Sequence, residues 1–172
     1  MVLLGACNQQ EKTKPVASSE SLQLRIIESK PDSTSFVVLP FDKKSDYLFK
    51  GAKPAELSVT EISRVESLLK QAVHEHNKAQ EKDYQEMLKS SPNTPYGREN
   101  YFIDLQKYRR QFIAMYNASG EKEVWVNCFC SGSESNWRRE VVMVDDGGNC
   151  FFNLKINLFK GTWHDMMVNG LA

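Results

Sequence analysis

The sequence lacks an excess of charge of either sign: 22 Lys and Arg balance 22 Asp and Glu, for a formal charge of +0. Without a basic surplus, nothing in the composition favours binding to nucleic acid or to an anionic membrane surface. The chain also lacks any run of about 18 apolar residues, so no segment reads as a bilayer-spanning helix. It has no Gly-rich phosphate loop and no G-x-S-x-G elbow, the readable signs of nucleotide binding and of a serine nucleophile. What it has is size and apolar content. At 172 residues and 41% hydrophobic, it can bury one core and is too short for two of comparable size.

Leu22 to Glu28 (LQLRIIE) and Ser35 to Pro40 (SFVVLP) are short runs rich in β-branched residues, separated by Pro31-Asp32-Ser33. They read as two strands and a turn. Phe41 to Lys53 reads as loop, with room for one short strand. Ser58-Val59-Thr60-Glu61 is a capping box, in which the serine side chain accepts from the Glu61 N–H and the glutamate reaches back. Behind it Ile62, Val65, Leu69, Ala72, Val73 and His76 recur at helical spacing. Asn77 is the expected stop, leaving Tyr84, Met87 and Leu88 for a second short helix before Ser90-Ser91-Pro92-Asn93.

From Tyr108 the period changes to two. Arg109 to Tyr116, Glu123 to Cys130, Arg138 to Val144, Cys150 to Phe159 and Trp163 to Val168 read as five strands of an antiparallel meander. The expected fold is α+β: one long amphipathic helix packed on a curled antiparallel sheet, an order of elements shared with cystatin-like folds.

Alternation assigns the two faces of that sheet. Val124, Val126, Cys128 and Cys130 share one parity, as do Cys150, Phe152, Leu154, Ile156 and Leu158. This set is expected to face the helix, with Trp163 and Met167 beside it. The other parity carries Trp125, Asn127 and Phe129, then Phe151, Asn153, Lys155, Asn157 and Phe159, and finally His164. Aromatic rings among amides can stack on sugar faces and hydrogen-bond hydroxyls or peptide backbone. Trp125, Asn127, Phe129, Asn153, Asn157 and His164 are therefore the candidate binding residues. A plainer expectation stands beside it: such a face is commonly covered by an N-terminal strand, a loop or a second subunit.

No catalytic residue, metal or cofactor is assigned. His74 and His76 diverge by about 200° around a helix and cannot readily share an ion. Asp145-Asp146-Gly147-Gly148-Asn149 lacks the spacing and terminal Glu of an EF-hand loop and reads as a turn, as does the sequon-like Asn117-Ala118-Ser119. A Cys nucleophile needs a His beside it, and His164 is expected on the face opposite Cys128 and Cys130. With a strand between them, Cys130 and Cys150 are expected well over 10 Å apart at roughly 3.3 Å per residue, too far for a bridge. Three free, buried thiols are the expectation for Cys128, Cys130 and Cys150.

The chain opens MVLLGACNQQ, and Leu4, Gly5, Ala6 and Cys7 resemble a bacterial lipobox, whose cysteine is lipidated and becomes the mature N-terminus. Asn8 to Ser21 is polar and aperiodic and reads as a tether with a reach of roughly 20 Å. A full leader needs a basic region and about 7 to 15 apolar residues. Residues 1–7 therefore read as the remnant of a longer signal, 8–21 as the tether and 22–172 as a single α+β domain; were LGAC a coincidence, the protein would be cytoplasmic. The stretches VWVNCFC, DDGGNCFFNLKINL and DMMVNG resemble the tail of a family of small uncharacterised bacterial envelope proteins, many of them lipoproteins. The resemblance covers Leu57 to Ala172, implies a compartment and a fold, and transfers no catalytic residue. The expected function is a non-enzymatic, lipid-anchored envelope protein that binds a protein or glycan partner through one sheet face. It would touch the membrane through the lipid anchor only. The alternatives are a small enzyme with its site at a sheet edge or loop, and a purely structural envelope protein.

Overall fold

The capping box forms as the sequence dictates. The Ser58 side chain accepts from the Glu61 N–H at 3.3 Å, and the Glu61 carboxylate accepts from the Ser58 N–H at 2.9 Å. In the computed structural model, which describes residues 34–42, 49–130 and 136–170, this cap opens one 32-residue helix, α1 (Val59–Ser90). Leu22 to Glu28, the tether and Cys7 lie outside the described residues.

The expected stop at Asn77 is corrected: the helix runs on to the Ser90-Ser91-Pro92 breaker. Asn77 sits mid-helix because its side chain grips the backbone of Ile103, donating to the carbonyl and accepting from the N–H at 2.8 Å each. That pairing offsets the helix-interior penalty of an amide that otherwise favours caps and turns. A 32-residue helix is about 48 Å long and a nine-residue strand about 30 Å, so α1 outruns the strands beneath it. Its far half packs on the segment that follows it, with Tyr84 against Tyr101 and Phe102 at 5.2 and 5.6 Å between centroids.

The sheet contains β1 (Phe36–Val38), β2 (Lys53–Pro54), β3 (Tyr108–Tyr116), β4 (Lys122–Cys130), β5 (Phe151–Asn157) and β6 (Thr162–Val168). β3 to β6 form an antiparallel meander in chain order. β1 lies parallel to β3, and β2 lies antiparallel to the other end of the same strand, so two short strands share one edge. The fold is α+β, as expected, but the sheet is mixed.

Its inner face is the expected one: Val124, Val126, Cys128, Phe152, Leu154, Ile156 and Leu158 pack with Val65, Leu68, Leu69, Ala72 and Val73 of α1. Each fully buried aliphatic side chain here contributes about 1.5–3 kcal/mol relative to exposure. At the rim of this layer Arg110 pairs with Glu66 at 2.8 Å and also donates to Ser35 Oγ and to the Leu105 and Tyr108 carbonyls. The guanidinium is thus engaged at all three nitrogens, the kind of support a part-buried charge requires.

Three further expectations are corrected. Arg138 to Val144 is not a strand; β4 pairs directly with β5, Phe129 opposite Phe151. With no strand between them, Cys130 and Cys150 lie 5.0 Å apart at Cα and form a disulfide, leaving Cys128 as the free cysteine among the described residues. Met167 is 64% exposed, not at the core. The β5–β6 register shifts between Asn153 and Lys155, with Asp165 at φ 52°. The extra residue reverses the parity beyond it, so that Met166 and Val168 join Trp163 against the core.

Candidate functional site

Most of the face opposite α1 is covered. Leu39 and Phe49 pack with Ile113, Met115 and Trp125, the Phe49 ring edge-on to the indole at 5.8 Å. Beside them Trp137 and Val142 close over Phe129. The loop that carries Trp137 and Val142 is held by two buried amides. Gln111 donates to the Trp137 and Glu140 carbonyls and accepts from the Val142 N–H and from Asn127, which itself donates to the Val142 carbonyl. These side chains supply the hydrogen bonds a neighbouring strand would have supplied, as a loop laid on a sheet requires.

Of the six candidate binding residues, Trp125, Asn127, Phe129 and Asn157 are buried. They do not present an open surface: Trp125, Phe129 and Asn127 pack against or hold the covering layer, and the Asn157 amide is taken up by Glu121 and Glu123. Asn153 and His164 stay partly open. Asn153 accepts from the Trp125 indole N–H at 3.3 Å, and its neighbours Lys155 and Asp165 pair at 3.2 Å.

The open polar chemistry lies at the end where the β3–β4 and β5–β6 turns meet the start of α1. Asn117 and Asn157 each donate to both Glu121 and Glu123, Lys160 donates to Glu121 at 2.8 Å, and His164 stands 3.4 Å from Glu123. The Lys160 ammonium, and then the Asn157 amide, hold the Glu121 carboxyl below the usual carboxylate range. The Asn117 carbonyl oxygen accepts from the Ser119 and Glu121 N–H groups, an Asx turn. The asparagine of the sequon-like triplet is therefore a turn residue with its amide engaged.

Beside this network a cavity of about 550 Å³ opens between α1 and the two turns, lined by Glu61, Arg64, Tyr116, Ser119, Gly120, Glu121, Lys122, Leu158 and Phe159. Phe159 is 78% exposed and Tyr116 40%. Glu61 pairs with Lys122 at 2.7 Å, and the Lys122 ammonium and Ser58 N–H together lower the Glu61 pKa to about 2. Arg64 lies against Gly161, whose missing side chain leaves it room: a Cβ there would stand 2.9 Å from Arg64 Nη2. The arrangement offers two ring faces, a guanidinium and a carboxylate, which suits stacking and hydrogen bonding more than proton transfer.

Cys128 lies in the inner core, where burial pushes its thiol pKa well above the ordinary value, on the side of the sheet away from His164. Among the described residues no three His, Cys, Asp or Glu side chains gather to hold a metal ion, and no helix is long and apolar enough to cross a membrane. No family model, no curated protein and no solved structure matches this chain.

Proposed function

We propose that this chain is an exported envelope protein, tethered by a lipid on Cys7, that works by binding a protein or glycan partner. The observation that carries this is the Cys130–Cys150 disulfide. Such bonds persist in secreted and periplasmic compartments and are rare where thiol reductants are maintained. The LGAC sequence and the polar stretch behind it agree, as does the resemblance of the tail to envelope lipoproteins. The binding surface is the groove between α1 and the turns, with the open part of the β5–β6 face, Asn153 and His164, on its flank. Tyr116 and Phe159 supply stacking faces there, and Arg64, Ser119 and Glu121 supply donors and acceptors.

Intact mass and membrane fractionation of the native product in its own cell, with Cys7→Ser as control, test the tether. The expected product carries lipid and one disulfide, sediments with membranes, and becomes soluble on substitution. An unmodified soluble chain with reduced thiols would falsify the proposal.

A further inference from the structure

The β5–β6 connection turns on Gly161, which takes a left-handed backbone at φ 67° and donates its N–H to the Asn157 carbonyl at 2.8 Å. The same bare Cα lets the Arg64 guanidinium of α1 lie against the turn, in the wall of the groove. Phe159, two residues earlier, projects its ring from that wall with 78% of its surface open to solvent. Across from it the Tyr116 ring has the Lys122 ammonium 5.9 Å from its centroid.

Charge immediately around the opening is balanced. Lys53, which pairs with Tyr116 in the β2–β3 register, Arg64, Lys122 and Lys160 stand against Glu56, Glu61, Glu121 and the buried Glu123. No surplus of either sign draws a polyanion here. Within the groove the ionised side chains are not equally occupied. Glu61 is closed on Lys122 at 2.7 Å and Glu121 on Lys160 at 2.8 Å. Arg64 is the charged lining residue that has no ion pair, hydrogen bond or ring beneath its guanidinium among the described residues. A guanidinium presents two parallel N–H donors that match the two oxygens of one carboxylate. A second carboxylate on the same ligand would meet Glu61 or Glu121.

We propose that the groove binds a glycan through one sugar carboxylate, of the uronic-acid class, received by Arg64. The proposal rests on the binding role given to the groove above and commits that role to an acidic sugar. Phe159 and Tyr116 stack on the apolar face of a sugar ring, and the paired carboxylates and ammonium groups meet its hydroxyls while staying in water. A protein surface laid over the same opening would desolvate both ion pairs, which costs more than their mutual attraction returns. The cavity, about 550 Å³, is of a size with small-ligand sites, about 300–1,000 Å³.

The test follows the backbone amides and the Arg64 Nε–H signal by NMR in the full-length Cys7→Ser chain, so that no lipid contributes. The probes are glucuronosyl-β-1,4-glucose and galacturonosyl-α-1,4-galactose, each beside the neutral disaccharide that differs only in bearing a hydroxymethyl group. The acids are expected to bind roughly tenfold more tightly than their neutral counterparts. Arg64→Gln should erase that preference without changing the neutral affinity, and Arg64→Lys, which keeps the charge and loses the fork, should fall between. Phe159→Ala should weaken acid and neutral sugars alike, roughly fivefold. Arg64 and Phe159 are both exposed, so these variants leave the core untouched.

Equal affinity for acid and neutral sugars, or a preference that survives Arg64→Gln, overturns the proposal. A peptide with a free terminal carboxylate, acetyl-glycyl-alanine, that shifts Arg64 as strongly as the acidic disaccharides assigns the guanidinium to protein and overturns it too. So does silence of the groove toward all the sugars at tens of millimolar. The binding role of the groove is read separately, by placing photoreactive p-benzoylphenylalanine at Phe159 in the native cell. Adducts there with silent sugars keep the groove and discard the acidic sugar; silence of both discards the two together.

Discussion

Gln111, fully buried on the covered face, does more for the second layer than any apolar contact there, because it satisfies two carbonyls, one N–H and one amide at once. Replacing it with leucine keeps the volume and strands those partners. Gln111→Leu should cost about 3 kcal/mol in urea unfolding and should speed amide exchange at Val142 first; an unchanged exchange rate there would remove Gln111 from that role. Glu61 makes a second claim at this scale. Its pKa, lowered from 4.5 to about 2 chiefly by the Lys122 ammonium, means that its ionised form favours the folded state. That contribution is present above the unfolded value and fades as pH falls from about 4.5 toward 2. Glu61→Gln should therefore be less stable than the parent at neutral pH, with the gap closing as the acid limb is approached. A gap constant across that window would assign the loss to packing instead.

The elements show what was legible and what was not. The capping box, the stripe on α1 and the inner parity of β4 and β5 were readable because each rests on local chemistry or on a period that a single core face enforces. Arg138 to Val144 reads as a strand because a loop lying on an apolar surface also buries residues at intervals, here Trp137 and Val142. What separates a loop from a strand is where its backbone hydrogen bonds go, and these go to Gln111 and Asn127. Buried amides at neighbouring positions of β3 and β4 were the available signal, since such groups demand partners that a second apolar layer would not provide. A strand there would hold Cys130 and Cys150 apart, so the disulfide is illegible for the same reason. The groove is not legible in the sequence because Arg64, Tyr116 and Phe159 come from three separate parts of the chain. The bond between β4 and β5 closes a loop with a sequence separation of 20, and loop entropy gives it about 3 kcal/mol. Replacing both cysteines with alanine should lower the unfolding free energy by that amount, and reduction of the parent should match it; a smaller loss would point to residual structure in the unfolded chain.

At the scale of the molecule, the two ends of the strands differ: the groove with Tyr116 and Phe159 lies at one, and Trp137 with Arg109 and Arg138 over its ring lies at the other. Between them β6 forms the edge of the sheet, and the bulge at Asp165 interrupts it. An edge strand is a template that any passing chain can extend. Aspartate tolerates the left-handed backbone that the kink needs, whereas a β-branched residue does not. Asp165→Val should flatten the strand and give dimers or larger species by light scattering as concentration rises; a variant that stays monomeric would deny the kink this role. Proteins confined to a surface meet their own copies far more often than the same number free in a volume. Were the chain tethered to a membrane as proposed, the irregularity in β6 would set a limit on edge-to-edge pairing among crowded copies.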